Sequence, residues 1–230
     1  MTTVESARAT TSGAAGPRRE RGDLRLGIVG AGKLGTTIAR AAVAAGYDVG
    51  LSGSGPAEEI ALTVEVLAPG ARAMTTGDVV RHADVVVLAV PTHRFRELPG
   101  DLFAGKVLVD AMNYWPPVDG DDRELAAAAD GTSAVVQAHF PSARVVKSLN
   151  QLGYHEVDER RRAKGAPDRI AVGAAGDDRL AVCKVMRLID RLGFEAVDVG
   201  TLENGLALEP DGAPFAVTYT ADELAELVSR

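Results

Sequence analysis

The chain has 230 residues, 46% of them hydrophobic, which suits one domain or one domain with a small appendage. Its formal net charge of −7 excludes the electrostatic footprint that nucleic acid or an anionic membrane demands, and its single cysteine excludes a disulfide framework or a multi-cysteine metal site. No apolar run approaches the roughly 20 residues of a membrane span and no signal core opens the chain, so a soluble protein of the reducing cytoplasm is expected.

Residues 1–22 are rich in Thr, Ser, Ala, Gly and Arg without apolar periodicity. They read as a disordered extension, with Arg18, Arg19 and Arg21 a solvated stretch. A strand from Leu26 to Val29 then enters a turn at Gly30, Gly32 and Gly35, and a helix continues with apolar spacing at Leu34, Ile38, Ala42 and Ala45. A second strand follows from Tyr47 to Leu51. In such a unit Gly30 permits the tight turn, Gly32 lets the backbone approach a pyrophosphate, and Gly35 lets the helix sit close to the strand. Unpaired N–H groups and the positive dipole end of the helix receive the phosphates. A nucleotide cofactor is expected.

Further along, Ala57 to Leu67 reads as a helix, Arg72 to Met74 as a short strand, and Thr76 or Asp78 as the cap of a helix ending near His82. Asp84 to Val90 is almost continuously apolar, as in a parallel strand covered by helices on both faces. Lys106 to Asp110 repeats that pattern, and a helix from Arg123 to Ala129 precedes a strand from Arg144 to Leu149. The last third predicts a strand at Arg169 to Gly173, a helix from Asp177 to Leu192 with Val182, Val185, Met186 and Ile189 on its apolar face, and a strand at Phe194 to Val199. Cys183 reads as a small core residue. Thr220 and Glu223 suit a capping box for a final helix ending at Val228. These elements predict an α/β, Rossmann-type doubly wound parallel sheet over 23–152, with a small C-terminal α/β unit over 153–230 closing one side of the site.

Ligands of such a sheet lie beyond the carboxyl ends of its strands. After the second strand, Ser52, Gly53 and Ser54 stand where an NAD site carries an acid; this favours NADP, with the two hydroxyls and the Gly53 N–H as phosphate donors. The usual arginine is missing there, and Lys33 either supplies that charge or points into solvent. Beyond the fourth strand, Val90, Pro91 and Thr92 face the nicotinamide, and His93 reads as an ordinary polar loop residue. Beyond the fifth, Asn113 is a neutral ligand, while Tyr114 and Trp115 either pack a proline-stiffened loop or offer a platform to a flat acceptor. Polar groups after the sixth strand, Asn150 and Gln151 with Leu152, are the expected substrate wall. The histidines at 82, 93, 139 and 155 are scattered, and no catalytic Ser, His and Asp set or metal-ligand cluster emerges.

The segments IVGAGKLGTTIARAAVAAGYDV, ADVVVLAVP, VLVDAMN, ARVVKSLNQLGYHE and the later GDD, spread between Leu24 and Leu208, together resemble the NADP oxidoreductases dependent on coenzyme F420. The resemblance implies hydride transfer between NADP(H) and a deazaflavin co-substrate, by proximity rather than through a catalytic side chain, with reacting carbons about 3 to 3.5 Å apart. By position it makes Gly30, Lys33, Leu34 and Gly35 the pyrophosphate loop and Ser52 and Ser54 the 2′-phosphate site. Pro91, Thr92, Asn113 and Asn150 to Leu152 are then the residues around nicotinamide and deazaflavin. It also implies a homodimer, although no apolar stripe marks an interface. Arg160, Arg161, Arg162 and Lys164 read as a solvated charge run or as a basic rim for the acceptor's anionic tail. The competing readings are NADPH-dependent reduction of a flavin, quinone or imine, and a non-catalytic NADP(H) sensor.

Overall fold

The computed structural model describes residues 25–229; the expected extension at 1–22 lies outside them. The strands are β1 (Arg25–Val29), β2 (Asp48–Ser52), β3 (Arg72–Ala73), β4 (Val85–Leu88), β5 (Val107–Asp110), β6 (Arg144–Ser148), β7 (Ala171–Ala175) and β8 (Glu195–Gly200). The helices are α1 (Lys33–Ala44), α2 (Ala57–Leu67), α3 (Thr76–His82), α4 (Pro116–Asp119), α5 (Arg123–Ala126), α6 (Thr132–His139), α7 (Tyr154–Glu159), α8 (Arg179–Leu192) and α9 (Ala221–Val228).

All eight strands form one sheet of order β3-β2-β1-β4-β5-β6-β7-β8. The first six run parallel, and the order reverses between β1 and β4, the crevice where doubly wound sheets bind ligands. The expected Rossmann-type fold is therefore the observed one. Its C-terminal unit continues the same sheet: β7 pairs antiparallel with β6, and β8 parallel with β7.

Alternation in β4 explains its unbroken apolar sequence. Val85 and Val87 enter a core shared with Leu26, Ile28, Ile38 and Val185. Val86 and Leu88 enter a second core, on the opposite face, with Val79, Phe95, Phe103 and Phe140. Both faces of the strand are dry, and each such side chain contributes about 1.5–3 kcal/mol by leaving water.

Several boundaries differ from expectation for local reasons. Thr75, not Thr76 or Asp78, caps α3, because Thr75 is the last extended residue and its hydroxyl accepts from the Asp78 N–H at 3.2 Å. The helix expected over 123–129 stops at Ala126, and α6 begins only after Gly131 turns the chain at φ +84. Cys183 is exposed rather than packed, since α8 buries Val182 and Val185 and the intervening position points away from the sheet. The Thr220–Glu223 capping box of α9 forms as expected.

Candidate functional site

The glycine turn shows why each glycine is required. Gly30 has φ +119, a conformation costly to any side chain, and a Cβ there would lie 2.3 Å from the Ala89 carbonyl oxygen at the end of β4. At Gly35 a Cβ would lie 1.9 Å from the Gly30 carbonyl oxygen, so only glycine lets α1 lean on the turn. At Gly32 a Cβ would meet nothing within 4 Å; this residue faces open space. Gly32 is also the N-cap of α1, with no side chain capping the helix and no acid in its first turn. The hydroxyls of Thr36 and Thr37 turn back to backbone carbonyls of Gly32 and Lys33, leaving the first N–H groups of α1 for an anion.

This turn opens on a cleft of about 400 Å³ between the ends of β1, β2 and β4. Gly30, Gly32, Gly53, Ser54, Val90 and Pro91 are among the residues that line it. Ser52 does not: it is fully buried, and its hydroxyl accepts from Thr76 Oγ1 at 3.2 Å. The phosphate donors expected after β2 reduce to Ser54 and the backbone. Thr92 is also turned inward, donating to the Asn113 carbonyl at 2.7 Å and so tying the end of β4 to the loop after β5. His93 pairs with the buried carboxylate of Asp119 at 2.9 Å.

Ile60, Thr76, Arg94 and Glu97 are among the lining residues that sequence reasoning missed. Arg94 and Glu97 belong to a 3-10 turn, Thr92–Glu97, that follows Pro91 directly. Arg94 Nε lies 3.1 Å from both Glu97 carboxylate oxygens, and Nη2 lies 2.7 Å from Oε2. The guanidinium holds the Glu97 carboxyl below the usual carboxylate range. The signal was present as a basic residue and an acid three apart, just past a strand-ending proline.

Beyond β5 and β6 the structure differs more from expectation. Asn150, Gln151 and Leu152 are only 2%, 4% and 7% exposed, so they do not wall an open cleft. Asn150 Nδ2 donates to Asn113 Oδ1 at 3.0 Å and to the Leu208 carbonyl at 2.6 Å, while Asn113 Nδ2 donates to the Asn150 carbonyl at 2.8 Å. Gln151 Oε1 accepts from the Gly173 N–H of β7 at 3.0 Å. The turn into this clasp passes through Leu149 at φ +64, a backbone state unusual for a bulky residue. Below it, Lys147 and Asp110 form an ion pair at 3.3 Å, 0% and 1% exposed, completed by donation from Lys147 to the Met112 carbonyl and from Ser133 and the Met112 N–H to Asp110. Tyr114 is spent on its own loop, donating to the Gly120 carbonyl and accepting from the Asp122 N–H, whereas Trp115 stands 51% exposed.

Leu34 packs partly buried against the core beneath the turn. Lys33 points away from the cleft, its Nζ 5.1 Å from the centre of the Tyr154 ring on α7. The basic run after α7 is no rim of this cleft. Arg161 and Arg162 line a depression with Ala44 and Ala45, at the far end of α1 from the glycine turn, about 18 Å away along the helix. Among the described residues no group of three His, Cys, Asp or Glu side chains is placed to hold a metal, and no helix is long and apolar enough to cross a membrane.

Comparison with known proteins agrees with this geometry. Residues 25–114, from β1 through the loop after β5, match the family NADP oxidoreductase, coenzyme F420-dependent. A hypothetical protein of Sinorhizobium meliloti superposes with a TM-score of 0.74 at 26% identity, over 86% of this chain and 95% of its own. A candidate F420-dependent NADP-reductase of Arthrobacter sp. FB24 superposes with a TM-score of 0.68 at 25% identity, over 80% of this chain and 87% of its own length. A pyrroline-5-carboxylate reductase of Coxiella burnetii, TM-score 0.56 at 15% identity over 83% of this chain and 65% of its own, shares the fold alone. No curated protein matches the sequence.

Proposed function

We propose that the protein binds NADP(H) across the ends of β1, β2 and β4 and exchanges hydride with coenzyme F420. One combination carries this reading. Within the segment that matches the family, an uncapped helix N-terminus opens on a cleft whose β2 end offers Gly53 and Ser54 in place of an acid. An acid there would repel a 2′-phosphate.

When bound, the two cofactors supply the hydride donor and its acceptor. The chain's part is to bind and orient. The first N–H groups of α1, exposed by Gly32, take the pyrophosphate, and the Ser54 hydroxyl donates toward the adenosine phosphate. Val90 and Pro91 wall the cleft at the end of β4. The Asn113–Asn150 clasp stiffens the neighbouring strand ends, and Trp115 presents aromatic surface to a flat acceptor. No side chain needs to act as general acid or base, because a ring-to-ring hydride transfer depends on positioning.

The test is anaerobic mixing of the protein with NADPH and oxidised coenzyme F420, following the deazaflavin's visible absorbance, with NADH, FMN and FAD as controls. NADPH-specific bleaching of coenzyme F420 is expected. Bleaching of FMN or FAD alone would replace the acceptor, and no bleaching despite measured NADPH binding would replace the enzyme with a non-catalytic binder.

A further inference from the structure

The cleft contains an unassigned charge. Among the described residues that line it, Arg94 and Glu97 are the only ones with ionised side chains. They enter from the β4 side, and Gly53 and Ser54 from the β2 side. The arginine that commonly follows β2 in NADP sites is absent, and Lys33 is engaged with Tyr154 outside the cleft.

We propose that Arg94 is the specificity-determining residue for the 2′-phosphate of NADP(H), reaching across the cleft toward Ser54 with Glu97 as its fixed counter-ion. The inference rests on the NADP(H) reading above and names the residue that would enforce it.

Three features fit Arg94 to this task. The turn that carries it is anchored: Phe95 is fully buried, its ring 5.4 Å from that of His139 and 6.3 Å from that of Phe140. Side chains three apart in a 3-10 turn eclipse each other, so Glu97 stands beside Arg94 and receives Nε and one edge of Nη2. The Nη1 donors and the remaining Nη2 donor stay available for phosphate oxygens, the planar fork that suits this ligand. Glu97 therefore orients the guanidinium without exhausting it. Glu97 offsets part of the charge, and no other cationic side chain lines the cleft among the described residues, so the contact depends on Arg94.

Calorimetric titration of the full chain with 2′,5′-ADP and with 5′-AMP isolates the 2′-phosphate from the rest of the cofactor. The wild-type protein should bind 2′,5′-ADP at least about tenfold more tightly. Arg94→Ala should erase that preference while leaving 5′-AMP within about twofold, and Arg94→Lys should restore part of it. Arg94 is 41% exposed, so truncation should leave the melting temperature nearly unchanged. A preference retained by Arg94→Ala would overturn the assignment and leave the NADP(H) reading standing. Equal losses for both ligands would make Arg94 a general adenosine contact instead. Absence of any preference in the wild-type protein would sink both.

Discussion

Asn113 and Asn150 clasp each other across the ends of β5 and β6. Each side-chain amide donates to the partner residue, at 2.8 Å to the Asn150 carbonyl and 3.0 Å to Asn113 Oδ1. Asn150 is 2% exposed, and its second donation, to the Leu208 carbonyl, extends the clasp to the C-terminal third of the chain.

Replacing Asn150 with Ala should therefore strand the Leu208 carbonyl and Asn113 Oδ1. A buried acceptor left without a donor costs about 1–3 kcal/mol. Denaturant unfolding should show a loss in that range, and a loss below about 0.5 kcal/mol would mean the clasp is incidental.

Gly32→Ala and Gly35→Ala should separate binding from folding. A methyl at Gly32 meets no atom within 4 Å and enters the space before α1, so thermal stability should hold while the NADPH dissociation constant rises about tenfold, about 1.4 kcal/mol. At Gly35 the methyl would collide with the Gly30 carbonyl at 1.9 Å, forcing α1 off the turn. Overpacking of this kind costs about 1–3 kcal/mol or more, and both stability and affinity should fall. Equal behaviour of the two variants in melting and titration would contradict this division.

Lys147→Met should be among the most destabilising single changes in the sheet. It leaves Asp110 charged and buried without its cation, a loss of about 3–5 kcal/mol. The double variant Lys147→Met, Asp110→Asn should lose less than the single one, because the orphaned charge is gone. Chemical denaturation of both variants checks the order.

Ser54→Asp should exchange cofactor preference, since it puts a carboxylate where a 2′-phosphate is expected. NADPH should bind about tenfold or more weakly, with NADH unchanged or improved. Undiminished NADPH affinity would remove Ser54 from the phosphate site.

Acid should loosen the edge where Arg25 meets Asp84. Hydrogen bonding from Arg25, at 3.0 Å from Nη2, holds the Asp84 carboxyl below its ordinary value. The folded value is depressed, so the pair's contribution is present above the unfolded value of about pH 3.9 and is lost as pH falls through the folded one. Asp84→Asn should flatten that part of the stability profile below about pH 4 and cost no more than about 1 kcal/mol at neutral pH, because the pair is exposed. An unchanged acid limb would show that other carboxylates govern it.

The sequence by itself determined the layered α/β fold, the glycine turn and the strand ends around it. These signals are local: apolar runs of four or five residues, a 3.6-residue stripe on α8, three glycines at a set spacing, and a capping box at Thr220. Only the tertiary structure decided which polar residues face the cleft. Ser52, Thr92, Asn150 and Gln151 look like ligands in one dimension, yet each satisfies a partner 21 to 58 positions away, and none of those partners is legible before the fold brings separate strand ends together. Arg94 is the reverse case: it escapes notice in the sequence, and only the fold brings it and Ser54 to the lining of one cleft. Backbone periodicity is written residue by residue, whereas hydrogen-bond satisfaction is settled only when distant strand ends are brought together.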